Sequence, residues 1–216
     1  MNGIVYIQPL FFFIKKNSEL QQRIIGSLLG DDNLTANTYV CAYRITQGEE
    51  HEEYVHYWAK LFEKEEYYTK KYDKINNGGW SEGKMSYMLT TQSSSELQAL
   101  RELFYPDGVK IVPENIELTP LTYKHWYIED GTLQRNKRKK GFAINIEFST
   151  DCFHLKENMI LVQNLKEVLD FSSGINLSKQ SNHIRLGKTC AETFLDYIGE
   201  SPVECYKYKF QRSTDK

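Results

Sequence analysis

Apolar residues recur along this chain at two spacings, and the order of those spacings repeats. Ile24 to Asp32, IIGSLLGDD, is apolar for about two helical turns and then ends in acid. Tyr123 to Gly131, YKHWYIEDG, is a second run of that kind. After the first comes TANTYVCAYRIT, Thr35 to Thr46, whose polar/apolar alternation predicts a strand. Then follow an amphipathic helix in EEYVHYWAKLF, a hairpin closing in KMSYMLTT, and a helix in SELQALRELF. After the second run the order returns. TLQRN…GFAINIEFST reads as a longer hairpin, LKENMILVQNLKEVL as a helix, NHIRLGK as the end of a hairpin and TCAETFLDYI as a helix. Each half is helix–hairpin–helix–hairpin–helix, the mark of an internal duplication in an α+β protein.

The ends of the two leading helices carry the candidate chemistry. Ser18 is a good N-cap with Gln21 three residues on, and Thr119-Pro120 is an N-cap followed by proline at the first helical position. Gly26 and Gly30 share a face of the first helix. Glycine costs about 1 kcal/mol in a helix interior, so two on one face predict close approach of a second helix, with helix termination at Gly30 as the alternative. A helix C-terminus is partly negative, so Asp31 and Asp130 sit there at a cost unless a cation offsets it. Two such ends, 99 residues apart, point to a divalent metal held between them. Lys110 follows Asp31 by 79 residues and Lys207 follows Asp130 by 77.

These residues resemble the LAGLIDADG homing endonucleases in their single-chain, two-repeat form. Asp31 and Asp130 match the last acid of the motif, LRELFYPDGVKIVPENIELTPLTYKHWYIEDG resembles the inter-repeat region, and Lys110 and Lys207 (in CYKYKF) match the paired active-site lysines. The likeness runs from about Leu20 to Phe210. It departs from the pattern at Lys124, His125 and Glu129, at Ser27 in place of an aliphatic, and at Asp32 in place of a small residue. The resemblance implies two pseudo-symmetric αββαββα repeats forming a DNA-binding β-saddle: an extension over 1–17, a first repeat over 18–112, and a second with its tail over 113–216. It implies a site-specific endonuclease that makes a staggered double-strand break in a long, weakly palindromic site, acting as a monomeric pseudo-dimer. Asp31 and Asp130 would hold Mg²⁺ or Mn²⁺, helped by the backbone carbonyls of Gly30 and Glu129, since such cations want hard oxygen ligands. Lys110 and Lys207 would polarise water or stabilise developing charge. The side chains of Asp32 and Glu129, about 100° round the helix from the metal acids, are expected to face outward or toward DNA.

Base reading would fall to the hairpins, because a two-stranded ribbon fits the major groove. The first half offers Asn37, Tyr39, Arg44, Lys70, Lys71 and Lys84; the second offers Gln134, Arg135, Lys137, Arg138, Asn145, Lys179, Gln180 and Arg185. The runner-up reading is an intron-encoded maturase that binds intron RNA and assists splicing. A repressor without cleavage is a third, weakened by the presence of both acids and both lysines.

Bulk composition changes this picture little. The chain has 216 residues, 40% of them apolar, and a net charge of −2, which by itself does not announce a nucleic-acid binder. The charge is segregated: RNKRKK at Arg135 to Lys140 is basic, whereas EEHEE at Glu49 to Glu53 puts acid on an outer helix. Four scattered cysteines with no CxxC pair argue against zinc or a disulfide framework and for a reducing, intracellular compartment such as a bacterial cytoplasm or organelle matrix. The apolar stretch IVYIQPLFFFI is too short to span a bilayer and lacks a basic leader, so neither a membrane anchor nor secretion is expected; it is expected to pack on the first repeat. No P-loop, Gly-x-Ser-x-Gly or Cys/His pattern supports another chemistry.

Overall fold

Ser18 starts helix α1 (Glu19–Leu29) as expected: its side chain accepts the Gln21 amide proton, satisfying one of the free N–H groups of the first turn. Its partner is α4 (Pro120–Asp130), where Thr119 and Thr122 close a full capping box and Pro120 stands where a missing N–H costs nothing. The computed structural model describes residues 18–35, 41–64, 69–76, 85–137, 142–178 and 181–212; the side chains of 64, 69–76, 85 and 142 lie outside the description. The N-terminal extension, 1–17, is also outside it.

After α1 come β1 (Asn33–Leu34), β2 (Tyr43–Gly48), α2 (Glu52–Lys64), β3 (Thr69–Asn76), β4 (Met85–Thr91) and α3 (Ser95–Phe104). After α4 come β5 (Gly131–Lys137), β6 (Phe142–Phe148), α5 (Leu155–Val168), β7 (Ile175–Leu177), β8 (Ile184–Leu186) and α6 (Lys188–Ile198). A single-turn 3-10 segment (Glu204–Tyr206) leads into α7 (Lys207–Phe210). Both halves are αββαββα. Each builds one four-stranded antiparallel sheet, ordered β1-β2-β4-β3 in the first and β5-β6-β8-β7 in the second.

One expectation is corrected. The run Thr35 to Thr46 is not one strand: Asn33 pairs antiparallel with Arg44 and Leu34 with Tyr43, so only its end, from Tyr43, lies in β2, and residues 36–40 lie outside the described residues. Alternation reports a pleated segment but not where the chain reverses.

Every other residue of a strand faces inward, and those residues with the helical stripes form one core rich in aromatics. Trp58, Phe62 and Tyr43 fill the first half, and Trp126, Phe148 and Phe194 the second, all fully buried. Tyr43 lies 5.1 Å from Trp58, and Trp126 stacks on Phe148 at 4.2 Å. α1 and α4 are flanked by these two clusters, so both sheets brace one helix pair.

Candidate active site and nucleic-acid face

The helix pair sets the geometry of the site. A Cβ on Gly26 would lie 2.2 Å from the Thr122 carbonyl oxygen, and one on Gly30 would lie 2.3 Å from Glu129 Cβ. Gly30 has φ −101°, which any residue adopts, so space and not backbone conformation requires glycine there. Close approach is therefore the reason for both glycines, and Gly30 closes α1 as well, its N–H donating to Ser27 O at 3.0 Å. At the other end Gln22 Oε1 accepts from the Thr119 and Thr122 hydroxyls at 2.9 and 2.5 Å, fixing the register of the pair.

Side by side, the helices end together and bring their acids near one another. Asp31 is exposed just beyond α1, while Asp130 is the partly buried last residue of α4. Burial pushes the Asp130 carboxyl up to about 7, and the Asp31 charge adds to the rise; Lys110 and Lys209 oppose it. Lys110 Nζ donates to Gly30 O at 2.7 Å and to Asp32 O at 2.9 Å. Lys209 Nζ donates to Ile128 O at 2.6 Å. Each helix C-terminus thus receives one ammonium group, the cation its dipole asks for. Burial lowers the pKa of both lysines, and the acids of the site raise it again.

Lys207 is not at this site. It is exposed and pairs with Glu204 at 2.6 Å, and the structure puts Lys209, two residues on, where Lys207 was expected. The signal was present in the sequence: Lys110 follows Asp31 by 79 residues, and Lys209 follows Asp130 by 79 as well. The Gly30 carbonyl is also engaged, by Lys110.

Asp32 and Glu129 do not face outward. Asp32 is 2% exposed and accepts a hydrogen bond from the Tyr43 hydroxyl, which also meets Ser27 Oγ at 2.8 Å. Burial raises its carboxyl to about 8. Glu129 Oε2 accepts from Gln47 Nε2 at 2.9 Å, and Gln47 Oε1 accepts from the Tyr206 hydroxyl at 2.9 Å. Its Oε1 is buried and has no protein partner among the described residues. Burial, then Asp32 and Asp31, hold the Glu129 carboxyl well above the usual range. His125 is likewise buried, its Nδ1 2.8 Å from the Tyr54 hydroxyl. Ser27, Asp32, His125 and Glu129, four of the five positions that depart from the motif pattern, form a polar layer beneath the acids, completed by Tyr43, Gln47, Tyr54 and Tyr206. Sequence spacing gave no sign of it, because its members come from five separate segments.

The reading candidates divide by strand face. In the second sheet Gln134 stands opposite Asn145, and Glu147 opposite Arg185, which stands opposite Asn176. They share the outward face and line an open groove of about 410 Å³. Glu147 accepts from Arg185 Nε at 2.6 Å and from Gln134 Nε2 at 3.2 Å. Arg135 points to the opposite side, where its guanidinium donates to Tyr208 O and Gln211 O at 2.5 and 2.6 Å. Lys137 is exposed at the strand tip. In the first sheet Arg44 is half-buried and stands opposite Thr90, which pairs on its other side with the backbone of Lys71. Asn37, Tyr39, Lys84, Arg138, Lys179 and Gln180, and the side chains of Lys70 and Lys71, lie outside the described residues.

With this geometry in hand, comparison with known proteins is direct. A sequence model of the LAGLIDADG DNA endonuclease family matches residues 21–194. The chain belongs to that family. Among proteins similar to this LAGLIDADG chain is an uncharacterized protein of Methanocaldococcus jannaschii, 30% identical over an alignment of 211 residues that covers 92% of this chain and 79% of that one. Among solved structures, the homing endonuclease I-WcaI bound to its DNA recognition sequence superposes with a TM-score of 0.75 at 17% identity, covering 98% of this chain and 96% of that one. The LAGLIDADG meganuclease I-AabMI bound to uncleaved DNA gives 0.52 at 10% identity, covering 88% and 86%. At these identities the structural likeness is one of fold. Among the described residues no three His, Cys, Asp or Glu side chains form a ready metal cage, and no helix is long and apolar enough to cross a membrane.

Proposed function

We propose that this protein is a divalent-metal-dependent homing endonuclease that makes a staggered double-strand break in a long, weakly palindromic DNA site. The observation that carries the reading is the pair of helix ends, each presenting one aspartate, Asp31 or Asp130, and one half-buried lysine, Lys110 or Lys209. The donor set fits Mg²⁺ or Mn²⁺. The Asp31 charge raises the proton affinity of Asp130 and Glu129, and the buried Glu129 Oε1 has no partner among the described residues, which a cation would relieve. Asp31 and Asp130 would hold the ion, with water and phosphate oxygens completing its shell; bound there, it supplies a Lewis acid and an activated water for phosphodiester hydrolysis. Lys110 and Lys209 hold the helix-end carbonyls and place positive charge where negative charge develops in the transition state. The outward sheet faces read DNA, Gln134, Asn145 and Arg185 in the second half and Arg44 in the first, with phosphate contacts outnumbering base contacts.

Two repeats, 18–112 and 113–216, supply one half-site reader each, so a monomer suffices, and unlike sheet faces make the site only weakly palindromic. Four unpaired cysteines suit a reducing compartment. The test is selection of cleaved sites from a random DNA library with Mg²⁺, followed by Asp31→Asn and Asp130→Asn. Each variant should lose double-strand cleavage and keep sequence-specific binding. Cleavage at the parent rate by both variants refutes the assignment, and RNA splicing without DNA cleavage would favour the maturase alternative.

A further inference from the structure

The acidic run Glu49 to Glu53 lies outside the catalytic pair, yet it holds the segment that carries Lys209. Chain 204–212 leaves the second half, crosses to the first, and returns. On the first half, Glu53 receives two backbone amides, Glu204 N to Oε1 at 3.2 Å and Cys205 N to Oε2 at 2.8 Å. His51 stacks on the Tyr206 ring at 4.2 Å and 10°, and Gln47 Oε1 accepts a hydrogen bond from the Tyr206 hydroxyl. On the second half, Tyr127 donates to Lys209 O at 2.5 Å and Arg135 clasps the carbonyls of Tyr208 and Gln211. α7 is four residues long and no isolated helix of that length is stable in water, so these outside contacts must set where Lys209 stands. Lys110 does not depend on Glu53: Ile111 N, next to it, bonds Phe104 O within the first half, and Val112 N bonds Glu157 of the second half.

We propose that residues 204–212 form a clasp, and that Glu53 of the first half is a positioning residue for Lys209 of the second. The inference rests on the nuclease reading for its catalytic consequence and on geometry alone for the clasp. Its consequence is asymmetry: loosening the clasp disturbs one helix end and leaves Lys110 at the other in place, so one strand is cut slowly while the other is cut normally. The backbone amides on Glu53 hold its carboxylate below the ordinary range, as expected of a charge that is used as a cap.

The experiment compares the full-length parent with Glu53→Ala, and with Glu53→Gln, whose side-chain oxygen can still accept one amide. Two readouts are taken. The first is lysine labelling by acetic anhydride with mass spectrometry, independent of any activity. Lys209 should be labelled slowly in the parent, at least threefold faster in Glu53→Ala and between the two in Glu53→Gln, with exposed Lys207 as internal reference. The second is single-turnover cleavage of plasmid carrying the selected site. Glu53→Ala should slow one strand at least fivefold and accumulate nicked circles, at unchanged DNA affinity and melting temperature, with partial rescue in Glu53→Gln. Unchanged Lys209 labelling in Glu53→Ala overturns the clasp. Faster labelling with both strands cut at the parent rate overturns the positioning role. A parent that cuts no DNA defeats the nuclease reading and the positioning role with it, while the labelling still decides the clasp.

Discussion

Gly26→Ala measures how closely the two motif helices must approach. The added Cβ would lie 2.2 Å from Thr122 O and 3.0 Å from His125 Cβ, where an ordinary carbon–oxygen contact is about 3.3 Å. The obstruction is backbone, held by the Thr119–Thr122 capping box, so it cannot rotate aside and the helices must part by about 1 Å. Overpacking of this kind costs about 1–3 kcal/mol, and replacing a helix-interior glycine by alanine returns about 1 kcal/mol. The net loss expected is at most about 2 kcal/mol, a fall in melting temperature of at most about 8 °C for a chain of this size. Function should suffer more than stability, because a displacement of about 1 Å at a reacting centre can cost about a hundredfold in rate. Circular-dichroism melting and single-turnover cleavage are the assays. Gly187→Ala is the control for cleavage, since a Cβ there meets only Gly174 O at 3.5 Å and the N-cap change costs at most about 1 kcal/mol of stability. If Gly26→Ala melts and cuts like the parent, the helices do not meet as described.

Lys209→Met should slow cleavage at least about tenfold, or roughly 1.4 kcal/mol, with DNA affinity nearly unchanged, while Lys207→Met cuts at the parent rate; equal loss in both would restore the 77-residue spacing. His125 is held well below the ordinary histidine range, first by burial and then by Arg23 and Lys124, so the folded state refuses a proton that the unfolded chain accepts below about 6.5. Its contribution to stability is therefore present above pH 6.5 and lost as pH falls, and His125→Gln should flatten urea stability between pH 6.5 and 5 by at most about 2 kcal/mol. A parent-like slope in that variant removes His125 from the acid limb. Lys137→Ala should reduce the log–log salt slope of DNA binding by about one, as expected for one lost phosphate contact; an unchanged slope takes Lys137 off the DNA. Arg185→Ala should relax preference at one base pair by about 1–3 kcal/mol, and an unaltered selected site shows that Arg185 does not read a base.

Local pattern alone determined most of the architecture. The helices at 52–64, 95–104 and 188–198, both N-caps and the duplication itself follow from periodicity and capping chemistry, which neighbouring residues decide. The paired glycines announced a close helix contact because their cost had to be returned somewhere. Tertiary structure decided the rest. The two lysines in CYKYKF have similar surroundings in sequence, and only a fold that lays 204–212 across Glu53 and Gln47 sends Lys209 inward and leaves Lys207 in solvent. Arg135 and Gln134 are neighbours in a basic stretch, but strand pleating puts them on opposite faces, one bound to the C-terminal carbonyls and one on the outward sheet. Asp32 and Glu129 look like surface acids beside Asp31 and Asp130, yet Tyr43 and Gln47, brought in from β2, give them partners and make their burial possible. Each of these outcomes depends on groups far apart in the chain, and hydrogen bonding and desolvation act on distance in space.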